Sequence, residues 1–315
     1  MKLKELKIGN LSVPMPFIQG GMAVRISTAK LAAAVANEGG IGIIAGTGMT
    51  IEELIGEIRM ARSMTKGVIG VNVLFAVRNF ADLVKAAMTE GIDLIISGAG
   101  FSRDMFSWGK EYNTPIVPIV SSAKLAVLAQ KLGAAAVVVE GKEAGGHLGT
   151  ERPMKEVLIE VLNNIKIPVI GAGGIINGKD ITEVIKLGAH GVQMGTIFAA
   201  SEESNASKEM KQLYVKSEKD DIAIVKSPVG LPGRCIRNNF YNMLEKENYP
   251  SVQTCLSCLK RCNHNFCIMK ALLNACKSGN PDEALIFAGE KVYEIKEVLP
   301  VKTIFENLLN EISSL

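Results

Sequence analysis

The sequence predicts an α/β fold, a (β/α)8 TIM barrel with a small C-terminal helical and loop accessory region. Eight short apolar runs predict it, together with helical segments that alternate with them and glycine-rich ends on the later runs. Continuous apolar runs suit strands buried on both faces, which means a parallel sheet. Strand and helix alternate eight times at the spacing of a βα unit. A barrel of this kind typically takes ~250 residues, and the chain has 315.

The runs are Phe17–Gly21, Ile41–Gly46, Val68–Val73, Leu94–Gly98, Ile116–Val120, Ala134–Val139, Ile167–Gly174 and Gly191–Thr196. Between them, Ser27 is placed to cap a helix over Thr28–Glu38, where Leu31, Ala32 and Val35 share a face. Thr50 precedes Ile51–Ser63, and Glu53 completes a capping box. Asn79 precedes Phe80–Glu90. Phe101–Tyr112 carries a weaker helical pattern. Ser122 precedes Ala123–Leu132, and Gly133 stops it. Glu156–Asn164 and Asp180–Leu187 complete the set, the latter closed by Gly188.

The rival is a doubly wound sheet, whose dinucleotide fingerprint G-x-G-x-x-G is missing. Gly46-Thr47-Gly48, Gly98-Ala99-Gly100 and Gly171-Ala172-Gly173 meet Ile51, Arg103 and Ile176 at the third position. Gly173 to Lys179 fits G-x-x-x-x-G-K, but Asp180 stands where a phosphate loop needs a hydroxyl.

Composition points to a cytoplasmic enzyme. Hydrophobic residues are 48% and the formal net charge is only +3. Lys and Arg are dispersed, which gives nucleic-acid binding no footprint. No uncharged apolar stretch approaches the ~18–20 residues of a membrane span. Met1–Lys7 has charges but no apolar core, so no secretory signal is expected there. The expected partner is a small-molecule substrate, and a homodimer is allowed.

The densest chemistry lies at Glu140–Gly149, E-G-K-E-A-G-G-H-L-G, directly after the sixth run. Gly145 and Gly146 permit backbone conformations closed to other residues. His147 then stands beyond a strand's C-terminal end, where such folds place their chemistry. The loops after runs seven and eight, Ala172-Gly173-Gly174 and Gly195-Thr196, offer backbone N–H groups to a phosphate. Asn72, Glu140 and Gln193 are polar positions in apolar runs and ring the mouth of one barrel.

Five motifs occur in order: Q-G-G-M at Gln19–Met22, G-V-N at Gly70–Asn72, E-G-K-E-A-G-G-H at Glu140–His147, A-G-G-I at Ala172–Ile175 and Q-M-G-T at Gln193–Thr196. Over about residues 5–205 the chain resembles the nitronate monooxygenase family, formerly the 2-nitropropane dioxygenases. It is equally similar to the flavin-dependent enoyl-acyl-carrier-protein reductase II type. The resemblance implies an FMN-bearing barrel. It implies FMN contacts from Asn72, Glu140, Gly145, Gly173, Gly174, Gln193, Met194, Gly195 and Thr196, with the Met22 backbone against the ring. His147 would be the catalytic histidine, its ordinary pKa of ~6.5 suiting acid–base work. Glu140 departs from the monooxygenase pattern, where Gln is expected, and matches the reductases.

After Thr196 the pattern changes. Ser201–Lys226 is charged and reads as helix. Ser227–Asn239 is a loop rich in Gly, Pro and Arg that could fold over the mouth. Pro281–Leu315 reads as helix, with Phe305, Leu308, Leu309 and Ile312 at helical spacing, and could close the outer ring. The implied division is a barrel from 1–205 plus 281–315, and an accessory lid over 206–280. That lid carries Cys255, Cys258, Cys262 and Cys267, four of the six cysteines in the chain. Such a group holds an iron–sulfur cluster or structural zinc, with His264 as a substitute ligand, or remains as free thiols.

Three activities follow. An FMN enzyme of the monooxygenase type would oxidise alkyl nitronates or similar carbanions with oxygen. An enoyl reductase would use NAD(P)H and act on an acyl-carrier-protein or CoA thioester. A cluster-bearing flavoprotein would pass electrons to a partner.

Overall fold

The computed structural model describes residues 1, 3–252, 254–276 and 280–315. Eight parallel strands form one sheet: β1 (Phe17–Gln19), β2 (Gly42–Ala45), β3 (Ile69–Leu74), β4 (Leu94–Gly98), β5 (Ile116–Val120), β6 (Val137–Glu140), β7 (Val169–Ala172) and β8 (Gly191–Met194). Their order is β1-β8-β7-β6-β5-β4-β3-β2. The seam closes where Gln19 N–H donates to Ile41 O at 3.0 Å and Ile41 N–H donates to Phe17 O at 2.9 Å. The (β/α)8 barrel expected from the sequence is therefore the observed fold. Ile18, Ile43, Leu94, Ile96, Val117, Val138 and Ile170 fill its interior with no measurable exposure.

An N-terminal hairpin, Leu6–Ile8 paired with Leu11–Val13, adds an element that the sequence reading lacks. Leu6, Ile8 and Val13 join the interior cluster. Leu6 reaches Gly191 at the start of β8, so the hairpin plugs the end where strands begin.

The outer ring comprises α1 (Ala29–Asn37), α2 (Ile51–Met64), α3 (Phe80–Thr89), α4 (Asp104–Glu111), α5 (Ala123–Leu132), α6 (Met154–Leu162) and α7 (Gly178–Lys186). The Thr50–Glu53 capping box is present on α2. Ser122 Oγ accepts from Leu125 N–H at the start of α5. Thr28, not Ser27, is the N-cap of α1. Ser27 Oγ is taken instead by Met22 N–H at 2.9 Å, a bond that shapes the loop after β1.

Beyond β8 come the short helix α8 (Thr196–Ala199), α9 (Lys208–Lys216), α10 (Asn239–Glu245), α11 (Ile268–Asn274) and α12 (Val301–Ser313). Two helical expectations need correction. Within Ser201–Lys226 only Lys208–Lys216 is α-helix, and Ile222–Lys226 is a strand. Its alternation buries Ala223 and Val225 and exposes Ile224 and Lys226, a period of two. Within Pro281–Leu315 the α-helix is confined to Val301–Ser313. The preceding stretch buries Ala284, Leu285, Ile286 and Ala288 nearly consecutively, which one helical face cannot do. It crosses the barrel mouth as irregular chain, with Glu290 N–H donating to Glu143 O at 3.0 Å. Helix α12 packs between α7 and α1 and completes the ring. Its Phe305, Leu308 and Ile312 are buried.

Parts of the described 206–280 segment line the mouth, among them Met210, Tyr214, Val229 and Leu259. Ile222–Lys226 and Pro232–Ile236 form an antiparallel hairpin, and the second strand pairs with Gly146–His147. Residues 253 and 277–279 of that segment lie outside the described residues. Among the described residues, no helix is long and apolar enough to cross a membrane.

Candidate active site

One cavity opens at the C-terminal ends of the barrel strands. Met22, Asn72, Glu140, Gly145, His147, Gly173, Gly174, Gln193, Met194, Gly195 and Thr196 all line it. They come from the ends of β1, β3, β6, β7 and β8 and from the loops that follow. Several glycines exist because the walls are close. A Cβ on Gly21 would stand 2.3 Å from Asn72 Cβ. One on Gly145 would stand 2.6 Å from the carbonyl carbon of Ala288, where the C-terminal segment crosses.

The end of β7 turns through Gly173 and Gly174, with φ of +105° and +67°. Successive residues of this kind expose backbone N–H groups to an anion. Helix α8 begins at Thr196, and the first N–H groups of a helix have no intrahelical partner. Lys291 lines the same cavity and ion-pairs with Asp180 in the first turn of α7. Thr196 Oγ1 accepts from Gly289 N–H at 2.9 Å, tying the C-terminal segment to this corner. The buried Gln193 Oε1 has no hydrogen-bond partner among the described residues.

His147 is held from two sides. Its Nε2 lies 2.8 Å from Ser227 Oγ. Its ring meets the Phe287 ring edge-on at 5.1 Å between centroids. Phe287 O in turn accepts from Tyr214 O–H at 2.9 Å.

The nitronate monooxygenase family model matches residues 4–311. The chain belongs to the nitronate monooxygenase family. A Staphylococcus aureus (strain JH9) relative named "Probable nitronate monooxygenase" is 28% identical, over 97% of this chain and 96% of its own. A Mycobacterium tuberculosis (strain ATCC 25618 / H37Rv) relative is 30% identical, over 78% of this chain and 69% of its own. It is named (3aS,4S,5R,7aS)-5-hydroxy-7a-methyl-1-oxo-octahydro-1H-indene-4-carboxyl-CoA dehydrogenase. The structure of FabK from Thermotoga maritima superposes with a TM-score of 0.85 at 31% identity, covering 96% of this chain and 94% of that one. This member of the nitronate monooxygenase family is thus an oxidoreductase enzyme.

Electrostatics corrects one expectation for the family's histidine position. The sequence gives His147 an ordinary pKa, but burial pushes it down to about 4. The ring keeps part of its surface, yet it faces a concave wall rather than bulk water. At neutral pH it is an uncharged imidazole. Burial acts the opposite way on Glu140 and pushes it up to about 7. Near neutrality that carboxyl is part acid and part carboxylate, able to donate a hydrogen bond as well as accept one.

Sequence reasoning did not find Lys291, Ser227, Phe287 or Tyr214, all contributed by the chain beyond β8. No motif marks them, because only the fold brings them over the mouth. The cysteines stand apart from this cavity. Cys255, Cys258, Cys262 and Cys267 are free thiols lining a neighbouring one. Among the described residues, no three His, Cys, Asp or Glu side chains are gathered to hold a metal ion. Cys235 is a buried core residue, and Cys276 Sγ donates to Val24 O at 3.1 Å.

Proposed function

We propose that this chain is an FMN-dependent oxidoreductase of the nitronate monooxygenase type, with the flavin seated in the barrel mouth. The carrying observation is the orphaned Gln193 Oε1, buried in a cavity that polar strand ends surround. A buried acceptor without a partner costs about 1–3 kcal/mol, and a ring imide N–H would satisfy it. The glycine cradle supports the fit, since a Cβ on Gly195 would approach nothing closer than 3.8 Å. That leaves room for a flat ligand against the main chain.

When bound, FMN supplies the redox chemistry, taking electrons from substrate and passing them on. The protein's own parts divide as follows. Gly173, Gly174, Gly195 and Thr196 would hold the phosphate through backbone N–H groups, with the Lys291–Asp180 ion pair beside them. Asn72, Glu140, Gln193 and Met194 would hold the ribityl chain and ring edge, and Gly145 and the Met22 backbone would meet the ring. His147, kept neutral and fixed by Ser227, positions substrate by hydrogen bonding rather than as a cation. A nitronate already carries its electrons at carbon, so it needs no strong base. The barrel is taken as 1–205 plus 281–315, with 206–280 as the lid that excludes water. Anaerobic mixing with an alkyl nitronate tests the reading. Bleaching of the flavin and reoxidation by oxygen support it; an unchanged flavin spectrum refutes it.

A second reading is NAD(P)H-dependent hydride transfer to an enoyl thioester of acyl carrier protein or CoA. Glu140 and the apolar wall of Val229, Leu259, Ile268, Met269 and Leu272 favour it, since that wall suits an acyl chain. The Mycobacterium relative's name also describes a CoA thioester. Rapid anaerobic bleaching by NADH or NADPH, with turnover of a crotonyl thioester, would select it.

A further inference from the structure

We propose that Cys255, Cys258, Cys262 and Cys267 ligate an iron–sulfur cluster in the cavity they line beside the barrel mouth. All four face one cavity, and none is in a disulfide. Zinc would draw its ligands to ~2.3 Å from a single point. The described residues contain no such convergence. Four cysteines on one cavity are instead the ligand set that a polynuclear centre typically takes.

The surroundings fit an anionic cluster. Ser257 N–H donates to Cys255 Sγ and His264 N–H to Cys262 Sγ, each at 3.4 Å. Both donors lie two residues after their cysteine, with φ of 49° and 60°. These left-handed turns aim backbone N–H groups at sulfur, and such bonds stabilise cluster ligands. Arg78, Lys260 and Arg261 line the cavity and offset the negative charge of the thiolates.

The cysteine loop is anchored to the barrel. Arg78 N–H donates to Cys258 O at 2.9 Å, and Lys260 N–H donates to Ala76 O at 2.8 Å. The segment they pin follows β3. Leu259 and Ile268 line both this cavity and the barrel mouth. A cluster here would therefore sit one side chain away from the substrate cavity. It would exchange single electrons with a one-electron carrier. The ligation itself does not depend on the flavin reading.

The test uses full-length protein purified without oxygen. We expect between about two and about four iron atoms per chain, matched by acid-labile sulfide. Dithionite should add one electron per cluster and produce an electron paramagnetic resonance signal distinct from flavin. Cys258→Ser should lose most of the iron with unchanged circular dichroism, whereas Cys276→Ser, outside the cavity, should keep it. Should Cys258→Ser misfold, the wild-type resonance signal decides. The proposal is overturned if the protein holds no iron after reconstitution with ferrous iron and sulfide. Zinc alone, or full iron in folded Cys258→Ser, would overturn it as well. Flavin is quantified separately, so a protein that holds the iron but no flavin sinks only the flavin reading.

Discussion

His147 and Glu140 face the same cavity, and burial moves their pKa values in opposite directions. For His147 the folded value, about 4, is below the unfolded 6.5. The pH profile of kcat/KM should therefore show no inflection near 6.5 from this residue. His147→Ala should keep its flavin, because the proposed phosphate contacts lie on other loops. Its kcat should fall by ~10-fold, as when a positioning hydrogen bond of about 0.5–1.5 kcal/mol is removed. The comparison requires equal flavin content by absorbance, and a rate within about threefold of wild type would make the imidazole a bystander. For Glu140 the folded value, about 7, is above the unfolded 4.5. The folded protein then binds the proton more tightly, so its stability falls as pH rises from 4.5 to 7. Glu140→Gln should raise the melting temperature at pH 8 and change it little at pH 4. The gain is at most about 3 kcal/mol, from 1.36 kcal/mol per pKa unit. Equal shifts at both pH values would show that the carboxyl is not held neutral.

Secondary elements reveal their constraints through glycine. Gly145→Ala would drive a Cβ to 2.6 Å from Ala288 and 2.7 Å from Gly289 N, both main chain and slow to yield. A loss of about 1–3 kcal/mol is expected by thermal or chemical unfolding, as for overpacking in a core. Gly56 lies in α2 with nothing within 4 Å of its would-be Cβ. Gly56→Ala should stabilise by about 0.4–1 kcal/mol. If both substitutions behaved alike, the packing of the C-terminal segment on the glycine turn would be wrong. The barrel strands were legible because each is a continuous apolar run, a local signal. Thr50 and Ser122 were legible as caps for the same reason. The strand at Ile222–Lys226 was hidden by its charged neighbours, although Ile-Ala-Ile-Val-Lys alternates in burial. The Leu6–Val13 hairpin carried a Gly-Asn turn between two short alternating runs, a signal open to reading.

At the scale of the whole molecule, the barrel supplies a rigid ring of strand ends and the chain beyond β8 supplies the roof. The sequence exposed the ring through five ordered motifs. It did not expose the roof, because Ser227, Phe287 and Lys291 meet His147 and the glycine loops only across long sequence separations. The same roof separates the cysteine cavity from the mouth by Leu259 and Ile268. On the proposed reading the flavin sits deep and covered, with its phosphate at Gly174 and Thr196. The most direct measurement is the identity and amount of flavin released from the denatured, FMN-incubated protein, with Gly174→Val as the comparison. A Cβ at Gly174 would stand 3.0 Å from Glu143 Cβ on a backbone with φ of +67°, so the larger side chain should disrupt that corner. We expect FMN in equimolar amount from the wild type and little from folded Gly174→Val. FAD in place of FMN, a protein that stays colourless in excess FMN, or full FMN retention by the variant would contradict the account.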